Sequence, residues 1–152
     1  MKVSQIVEKK EKPKEYKTLM FCGRWEMFLV VRYIDEGSYG KVFLVQHKLT
    51  GFMFCLKVIR KSQLNENSFN QMIREIKIQS TLEHPNIVNL YGFSADAENI
   101  YMLLEPCLEE NLFKKMQDQP LKEKEVKKYM KDICSAVEYM HKKDIIHRDI
   151  KP

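Results

Sequence analysis

The 152-residue sequence lacks several features that would place it in other protein classes. It contains no apolar run approaching the roughly 18 to 20 residues that cross a bilayer, so we expect no membrane-spanning segment. Its four cysteines are widely spaced, with no CxxC pair and no secretory leader before them. This usage favours reduced thiols in a cytosolic or nuclear protein. There is no internal repeat, and none of the four histidines has metal-ligand spacing, so no metal site is predicted.

Basic residues are in excess but are not clustered. The formal net charge is +5, yet lysines alternate with glutamates along most of the chain. A surface that binds nucleic acid or an acidic membrane needs its basic residues on one face. We therefore predict no nucleic-acid and no membrane partner. The balance of 44% hydrophobic and 31% charged residues is typical of a soluble globular domain.

Residues 1–24 differ in composition from the rest of the chain. Their lysine- and glutamate-rich stretch, residues 8–15, has few groups able to bury. We predict a flexible tail, with ordered structure beginning at Trp25.

The pattern of apolar residues after the tail predicts an α+β fold. Branched and aromatic residues recur with period two in three runs joined by short turns, which is typical of an antiparallel meander. A helix follows, predicted to start at Ser68 and to end before His84-Pro85. Two more strands and a long helix with an apolar stripe complete the pattern. The predicted strands are residues 28–34, 42–45, 52–59, 87–93 and 100–104, and the stripe is Val126, Met130, Ile133, Val137 and Met140.

The turn between the first two strands is rich in glycine, with Gly37, Ser38 and Gly40 following Asp35. Glycines let backbone amides approach a polyphosphate that a Cβ atom would obstruct. An ordinary hairpin needs the same residues, so this turn alone does not decide between the two interpretations.

A lysine in the third strand has a candidate partner on the predicted helix. Period two puts Lys57 and Cys55 on one face of an apolar strand. An ammonium group there is costly unless it has anionic partners, which phosphate oxygens and the carboxylate of Glu75 could supply. A snorkelling lysine and an exposed surface glutamate are the alternatives. The order of glycine turn, lysine and helix favours phosphate binding.

The last six residues, His147-Arg148-Asp149-Ile150-Lys151-Pro152, have the pattern of a catalytic loop. In such a loop Asp149 would accept or orient the hydroxyl proton of a substrate. His147 is expected to be a packed structural residue. Taken together and in this order, the four motifs predict phosphoryl transfer from ATP.

With these motifs in place, the chain resembles the protein kinases over roughly residues 25–152, and most closely the Aurora group of serine/threonine kinases. The segments that carry the resemblance are Arg74–Ser80, His84–Val88, Leu90–Gly92 and Ile146–Pro152. The resemblance implies a kinase small lobe at residues 25–104, a hinge at 105–109 and the start of the helical large lobe at 110–152.

The same resemblance implies roles for individual residues and an ATP cofactor, with Mg²⁺ expected for a complete domain. Leu104 would be the gatekeeper, the backbone of Glu105 and Cys107 would pair with adenine, and Lys151 would favour serine or threonine over tyrosine. The implied nucleotide-binding residues are Asp35, Gly37, Ser38, Gly40, Val42, Cys55, Lys57, Leu104, Glu105 and Cys107, and the implied catalytic residues are Lys57, Glu75, Asp149 and Lys151.

Four positions depart from the family pattern. Asp35 stands where kinases have a glycine, Cys55 replaces the usual alanine, and Glu110 replaces a glycine common in Aurora hinges. Cys107 is similar to the hinge residue of the Polo group. A carboxylate at position 35 could repel phosphate, and the other changes alter the shape of the pocket.

The sequence contains neither the asparagine nor the Asp-Phe-Gly motif that hold magnesium in kinases, so the 152-residue chain is expected to be inactive alone. Two function classes remain: an ATP-dependent serine/threonine kinase, and a non-catalytic truncated kinase that binds kinase regulators. The resemblance further implies a protein substrate, a regulatory protein on the small lobe, and a cytoplasmic or nuclear location with association to the spindle, centrosome or chromosomes.

Overall fold

The computed structural model describes residues 25–37, 40–107 and 112–151. Its core is a five-stranded antiparallel sheet with strand order β1-β2-β3-β5-β4. The strands are β1 (Phe28–Gly37), β2 (Gly40–His47), β3 (Met53–Arg60), β4 (Leu90–Ala95) and β5 (Asn99–Leu104), and the helices are α1 (Glu66–Ser80), α2 (Leu112–Asp118) and α3 (Glu123–His141). The predicted α+β fold, a five-stranded antiparallel sheet with a helix and further helices after it, is confirmed. The predicted tail, residues 1–24, lies outside the described residues.

Several element boundaries differ from the sequence prediction, and two of them have an identifiable local cause. Helix α1 begins at Glu66 and not at Ser68, because Asn65 is the N-cap and its side chain accepts a hydrogen bond of 2.8 Å from the Ser68 amide. Strand β4 begins at Leu90, since Ile87 is held in a turn by a hydrogen bond from its amide to the His84 carbonyl. In both places a local capping or turn bond competes with the hydrophobic pattern.

The two faces of β3 pack against different sets of side chains, as the period-two pattern predicts. One buried cluster consists of Val45, Phe54, Leu56 and Leu103. The other lies between the sheet and α1 and consists of Ile59, Met72, Ile76, Ile100 and Met102. Since Lys57 alternates with Phe54 and Leu56 along β3, its side chain emerges on the face that α1 covers.

Helix α3 is held against the loop that follows α1. The Glu83 amide donates to the Tyr139 hydroxyl at 2.9 Å, and the rings of His84 and Tyr139 lie 5.2 Å apart. Nδ1 of His84 accepts from the Asn86 amide at 3.1 Å, so a neutral ring carries its proton on Nε2 and donates to Ser135 at 3.1 Å. These contacts connect the helical region to the sheet.

The apolar stripe of α3 is covered only at its C-terminal end. Met140 is 6% exposed, whereas Val126 is 42% and Met130 is 53% exposed. Over the described ranges, no helix is both long enough and apolar enough to span a bilayer.

Candidate functional site

Two rows of cross-strand partners carry most of the candidate residues onto the α1 side of the sheet. In an antiparallel sheet, directly paired residues project from the same face, about 4.5 to 5.5 Å apart. The first row, from β1 to β5, is Asp35, Val42, Lys57 and Met102, and the second is Arg32, Leu44, Cys55 and Leu104. The predicted nucleotide-binding side chains at 35, 42, 55, 57 and 104 therefore share one face.

A bulge in β1 places Asp35 in this group. Tyr33 pairs with Phe43 on the opposite face, and strict alternation would put Asp35 on that face too. The register shifts between Tyr33 and Asp35, so that Asp35 pairs with Val42. The carboxylate that departs from the kinase pattern thus lies in the same row as Lys57, two strands away.

Gly40 has a packing reason to be glycine. A Cβ atom at this position would lie 2.1 Å from the carbonyl oxygen of Val58, far inside contact distance. Strand β2 can therefore approach β3 closely only with glycine at position 40. Gly37 pairs with Gly40 across the turn, and Ser38 lies outside the described residues. The phosphate-binding role of these glycines stays a prediction.

Lys57 and Glu75 line one cavity between β3 and α1, together with Gln71 and Met102. Among the residues that the structure describes, no carboxylate lies within 4 Å of the Lys57 ammonium group. The Glu75 carboxylate instead accepts a hydrogen bond of 3.0 Å from the side-chain amide of Gln71, one helical turn earlier. The predicted Lys57–Glu75 ion pair is therefore not formed in this structure, although both groups face the same space.

The chain leaves β5 at Leu104 and enters the predicted hinge. The Glu105 amide donates to the Asn89 carbonyl at 2.9 Å, which ties the hinge to the residue before β4. Pro106 has no N–H group. Within the described part of the chain, the amide of Cys107 makes no backbone hydrogen bond. Among the described residues, the hinge thus offers the Cys107 amide as a donor, next to the Glu105 carbonyl.

The thiol of Cys107 lies close to the Glu105 carbonyl and to Cys55, a member of the second cross-strand row. Its sulfur is 3.9 Å from the Glu105 carbonyl oxygen. Burial raises the pKa of the Cys107 thiol, and the neighbouring Cys55 and Glu105 raise it further. The side chain as a whole is exposed, so the desolvation acts on the sulfur and not on the entire residue. Both thiols are free.

The loop after α3 has an unusual backbone. Arg148 has φ of 66°, a left-handed conformation that residues other than glycine adopt mainly at functional sites and tight turns. The Asp149 amide donates to Nδ1 of His147 at 3.2 Å, and the Lys151 ammonium lies 3.1 Å from the Asp149 carboxylate. His147 is exposed, so the prediction that it is a packed residue is wrong; its ring accepts this hydrogen bond within the loop.

The structure places the strand candidates on one face of the sheet, beside the hinge. No hydrogen bond or ion pair between described residues joins Asp149 or Lys151 to Lys57 or Glu75. Within residues 25–37, 40–107 and 112–151, no group of three or more histidine, cysteine or acidic side chains could hold a metal ion.

Sequence reasoning missed three residues of this site. Gln71 holds Glu75, Asn89 binds Glu105, and Met102 lies directly opposite Lys57. Met102 was within a predicted strand, and pairing of that strand with β3 would have revealed it. Gln71 had a local signal, because it precedes Glu75 by four residues on the predicted helix. Asn89 had none, because it meets Glu105 only through the pairing of β4 with β5.

The chain is similar in sequence to a known protein family and to known proteins. The protein kinase domain family matches residues 28–152. The Aurora kinase of Candida glabrata is 39% identical over 127 residues, covering 82% of this chain and 36% of that protein. The Aurora kinase of Saccharomyces cerevisiae is 34% identical over 151 residues, which cover 98% of this chain and 40% of that protein. Mouse Aurora kinase B is 38% identical over 127 residues, which cover 82% of this chain and 37% of that protein. The chain thus spans about two-fifths or less of the length of these relatives.

Proposed function

Because the chain belongs to the protein kinase family, we propose that the protein containing it is an Aurora-like serine/threonine kinase that uses ATP. The observation that carries this proposal is the pair of cross-strand rows on the α1 side of the sheet. In these rows Lys57 carries an ammonium group that has no carboxylate within 4 Å among the described residues. Apolar side chains lie one strand away from it. A nucleotide needs both, one for its phosphates and one for its base.

In this proposal the base lies against the apolar members of the rows. Val42, Cys55 and Leu104 would contact its faces and edge. The Glu105 carbonyl and the Cys107 amide would meet the hydrogen-bonding edge of adenine, which presents an amino donor next to a ring-nitrogen acceptor. Lys57 would bind phosphate oxygens. Bound ATP supplies the phosphoryl group that is transferred.

Glu75 would exchange its partner when the site becomes active. It now accepts from Gln71 at 3.0 Å and faces the same cavity as Lys57. A hydrogen bond between side chains four residues apart on a helix stabilises by only about 0.2 to 0.5 kcal/mol. A charge-assisted pair with Lys57 is stronger, so the exchange needs little energy once phosphate orders the lysine.

Asp149 would orient the substrate hydroxyl and accept its proton. Lys151 places a positive charge 3.1 Å from that carboxylate, where a transferring phosphoryl group would carry negative charge. The left-handed Arg148 and the hydrogen bond to His147 hold the loop in shape. The proposal assigns no Mg²⁺ ligand to the described residues, which contain no suitable group.

The proposed substrate is a protein that presents serine or threonine, and a regulatory protein would bind the small lobe. A cytoplasmic or nuclear location, with a role in mitosis, is proposed on the similarity to Aurora kinases. These statements are proposals about a whole kinase, because the chain spans only part of the length of its relatives.

The test measures phosphoryl transfer to serine and ATP binding separately, in the natural protein that contains this chain. Lys57→Met is expected to weaken ATP binding and to lower transfer. Asp149→Asn is expected to leave ATP binding unchanged and to lower kcat by about 10² to 10⁴, the usual contribution of a general base.

Lys48→Met is the matched control, because Lys48 is exposed in the turn after β2. It should change neither measurement. A wild-type protein that binds no ATP would refute the proposal. One that binds ATP but transfers no phosphate would favour the non-catalytic binding module.

A further inference from the structure

Asp35 lies between the part of the site proposed for the base and the part predicted to bind the phosphates. Its cross-strand partner is Val42, one of the side chains proposed to contact the base. Two residues after Asp35, strand β1 reaches Gly37, at the start of the turn that the sequence predicts to bind phosphate. A nucleotide that contacts both regions would pass Asp35 with its ribose, the group that joins the base to the phosphates.

The bulge in β1 brings the Asp35 side chain to the face of the sheet that this nucleotide would contact. The register shift between Tyr33 and Asp35 puts Asp35 in the same cross-strand row as Lys57. Neighbouring strands lie about 4.7 to 4.9 Å apart, so two strand spacings separate these residues by roughly 9 to 10 Å. Among the ion pairs between described residues, none joins Asp35 to Lys57. The lysine therefore does not neutralise the carboxylate.

One oxygen of the Asp35 carboxylate is held locally, and the other can bind a ligand. Oδ1 accepts a hydrogen bond of 2.9 Å from the Glu36 amide. Over the described part of the chain, no hydrogen bond or ion pair involves Oδ2. The Asp35 residue is exposed, so a ligand can reach this oxygen. Because an ionised carboxylate only accepts hydrogen bonds, its partner on the ligand must be a donor.

We propose that Asp35 is a specificity-determining residue that accepts a hydrogen bond from the ribose hydroxyls of ATP, an inference that rests on the proposed function and deepens it. The phosphates are negatively charged and repel a carboxylate. The amino group of adenine lies at the hinge in the proposed arrangement. The 2′ and 3′ hydroxyls are the donors that remain. Acidic side chains bind ribose hydroxyls in the same way in dinucleotide-binding folds.

This role predicts two opposite effects of the carboxylate on nucleotide affinity. Its negative charge lowers the affinity for any triphosphate, with or without a sugar. Its hydrogen bond raises the affinity only for ligands that have a ribose hydroxyl. The ratio between two triphosphates that differ only in their hydroxyls therefore isolates the hydrogen bond, because the repulsion acts equally on both.

The experiment compares dissociation constants for ATP, 2′,3′-dideoxyATP and inorganic tripolyphosphate at one Mg²⁺ concentration, in the natural protein that contains this chain. Asp35→Ala removes both the acceptor and the charge. The preference for ATP over dideoxyATP should fall about tenfold, while the affinity for tripolyphosphate should rise. A tenfold change corresponds to about 1.4 kcal/mol, near the lower end for a hydrogen bond to a charged group, as expected for an exposed side chain.

Two further variants separate the hydrogen bond from the charge. Asp35→Asn removes the charge but keeps a carbonyl acceptor, so it should retain part of the preference for ATP while tripolyphosphate binding strengthens as in Asp35→Ala. Glu36→Gln is the matched control, because Glu36 is exposed next to Asp35 but pairs with Lys41 on the opposite face of the sheet. It should leave the ratio of ATP to dideoxyATP affinity unchanged. Should Asp35→Ala fail to fold, Asp35→Gly carries the same measurement.

The outcomes separate this inference from the proposed function. Wild-type protein that binds none of the three ligands would overturn the proposed function. Wild-type protein that binds ATP, with an unchanged ratio of ATP to dideoxyATP affinity in Asp35→Ala, would overturn only the role of Asp35. An equal gain in affinity for all three ligands in that variant would also overturn it, since the carboxylate would then act only by repelling phosphate.

Discussion

Replacing Gly40 with alanine should destabilise the sheet even when no nucleotide is present. The added Cβ would lie 2.1 Å from the Val58 carbonyl oxygen, whereas ordinary contact begins at 3.4 Å. Strands β2 and β3 would have to separate by about 1.3 Å at this point. The obstacle is backbone, so no rotation of a side chain can relieve the clash.

The expected cost follows from this displacement. A shift of that size takes neighbouring β2–β3 hydrogen bonds beyond their useful length, at about 0.5 to 1.5 kcal/mol for each bond lost. Overpacking strain adds about 1 to 3 kcal/mol. Loss of two bonds with strain gives about 2 to 6 kcal/mol, a large part of the 5 to 15 kcal/mol that typically stabilises a domain. For a chain of this length the melting temperature should fall by at least about 4 °C.

Thermal unfolding of the purified chain, followed by circular dichroism without nucleotide, measures this effect. Gly51→Ala is the matched control, because Gly51 has φ of 70° but a Cβ there would meet only the Gln46 side-chain nitrogen, at 3.8 Å. Its cost is the left-handed backbone penalty of about 1 to 2 kcal/mol. Gly40→Ala should therefore be the more destabilising change.

Equal melting temperatures for the two variants would refute the packing argument. If Gly40→Ala folded with normal stability and lost only ATP affinity, glycine would be required at position 40 by the phosphates and not by the Val58 carbonyl. Loss of both stability and affinity would be consistent with packing alone.

Two further predictions concern the helices. Lys115→Met should lower stability at neutral pH more than Lys128→Met, an exposed control on α3, because Lys115 donates to Glu125 at 2.7 Å and joins α2 to α3. This hydrogen bond holds the pKa of Glu125 below its ordinary 4.5. The stabilisation by the Lys115–Glu125 pair is therefore present above that pH and is lost as the pH falls further. The stabilities of wild type and variant should converge in acid, and parallel stability curves there would contradict the reasoning. Met140→Ala should cost about 2 to 5 kcal/mol in urea unfolding, because Met140 is 6% exposed. Met130→Ala, at 53% exposure, should stay within about 0.5 kcal/mol, and equal costs would show that the helix packs differently.

Local physics made much of the fold predictable. Period-two runs located three of the strands, and two further strand-like runs located the others. The separation of Lys57 from Phe54 and Leu56 onto opposite faces of β3 followed from alternation alone. The order of glycine turn, strand lysine, helix glutamate and catalytic-loop motif was enough to indicate the family. Element ends were less predictable, because the Asn65 cap and the turn at Ile87 depend on single hydrogen bonds.

The sequence by itself determined which face of each strand is apolar and which residue types are available for chemistry, because both depend on near neighbours in the chain. Tertiary structure alone decided which groups meet. The bulge before Asp35 turned its carboxylate to the side of Lys57, and the fold brought Asn89 to Glu105 from 16 residues away. Neither could be read from the sequence, since cross-strand register and loop closure depend on the pairing of distant segments, where a shift of one residue changes every partner.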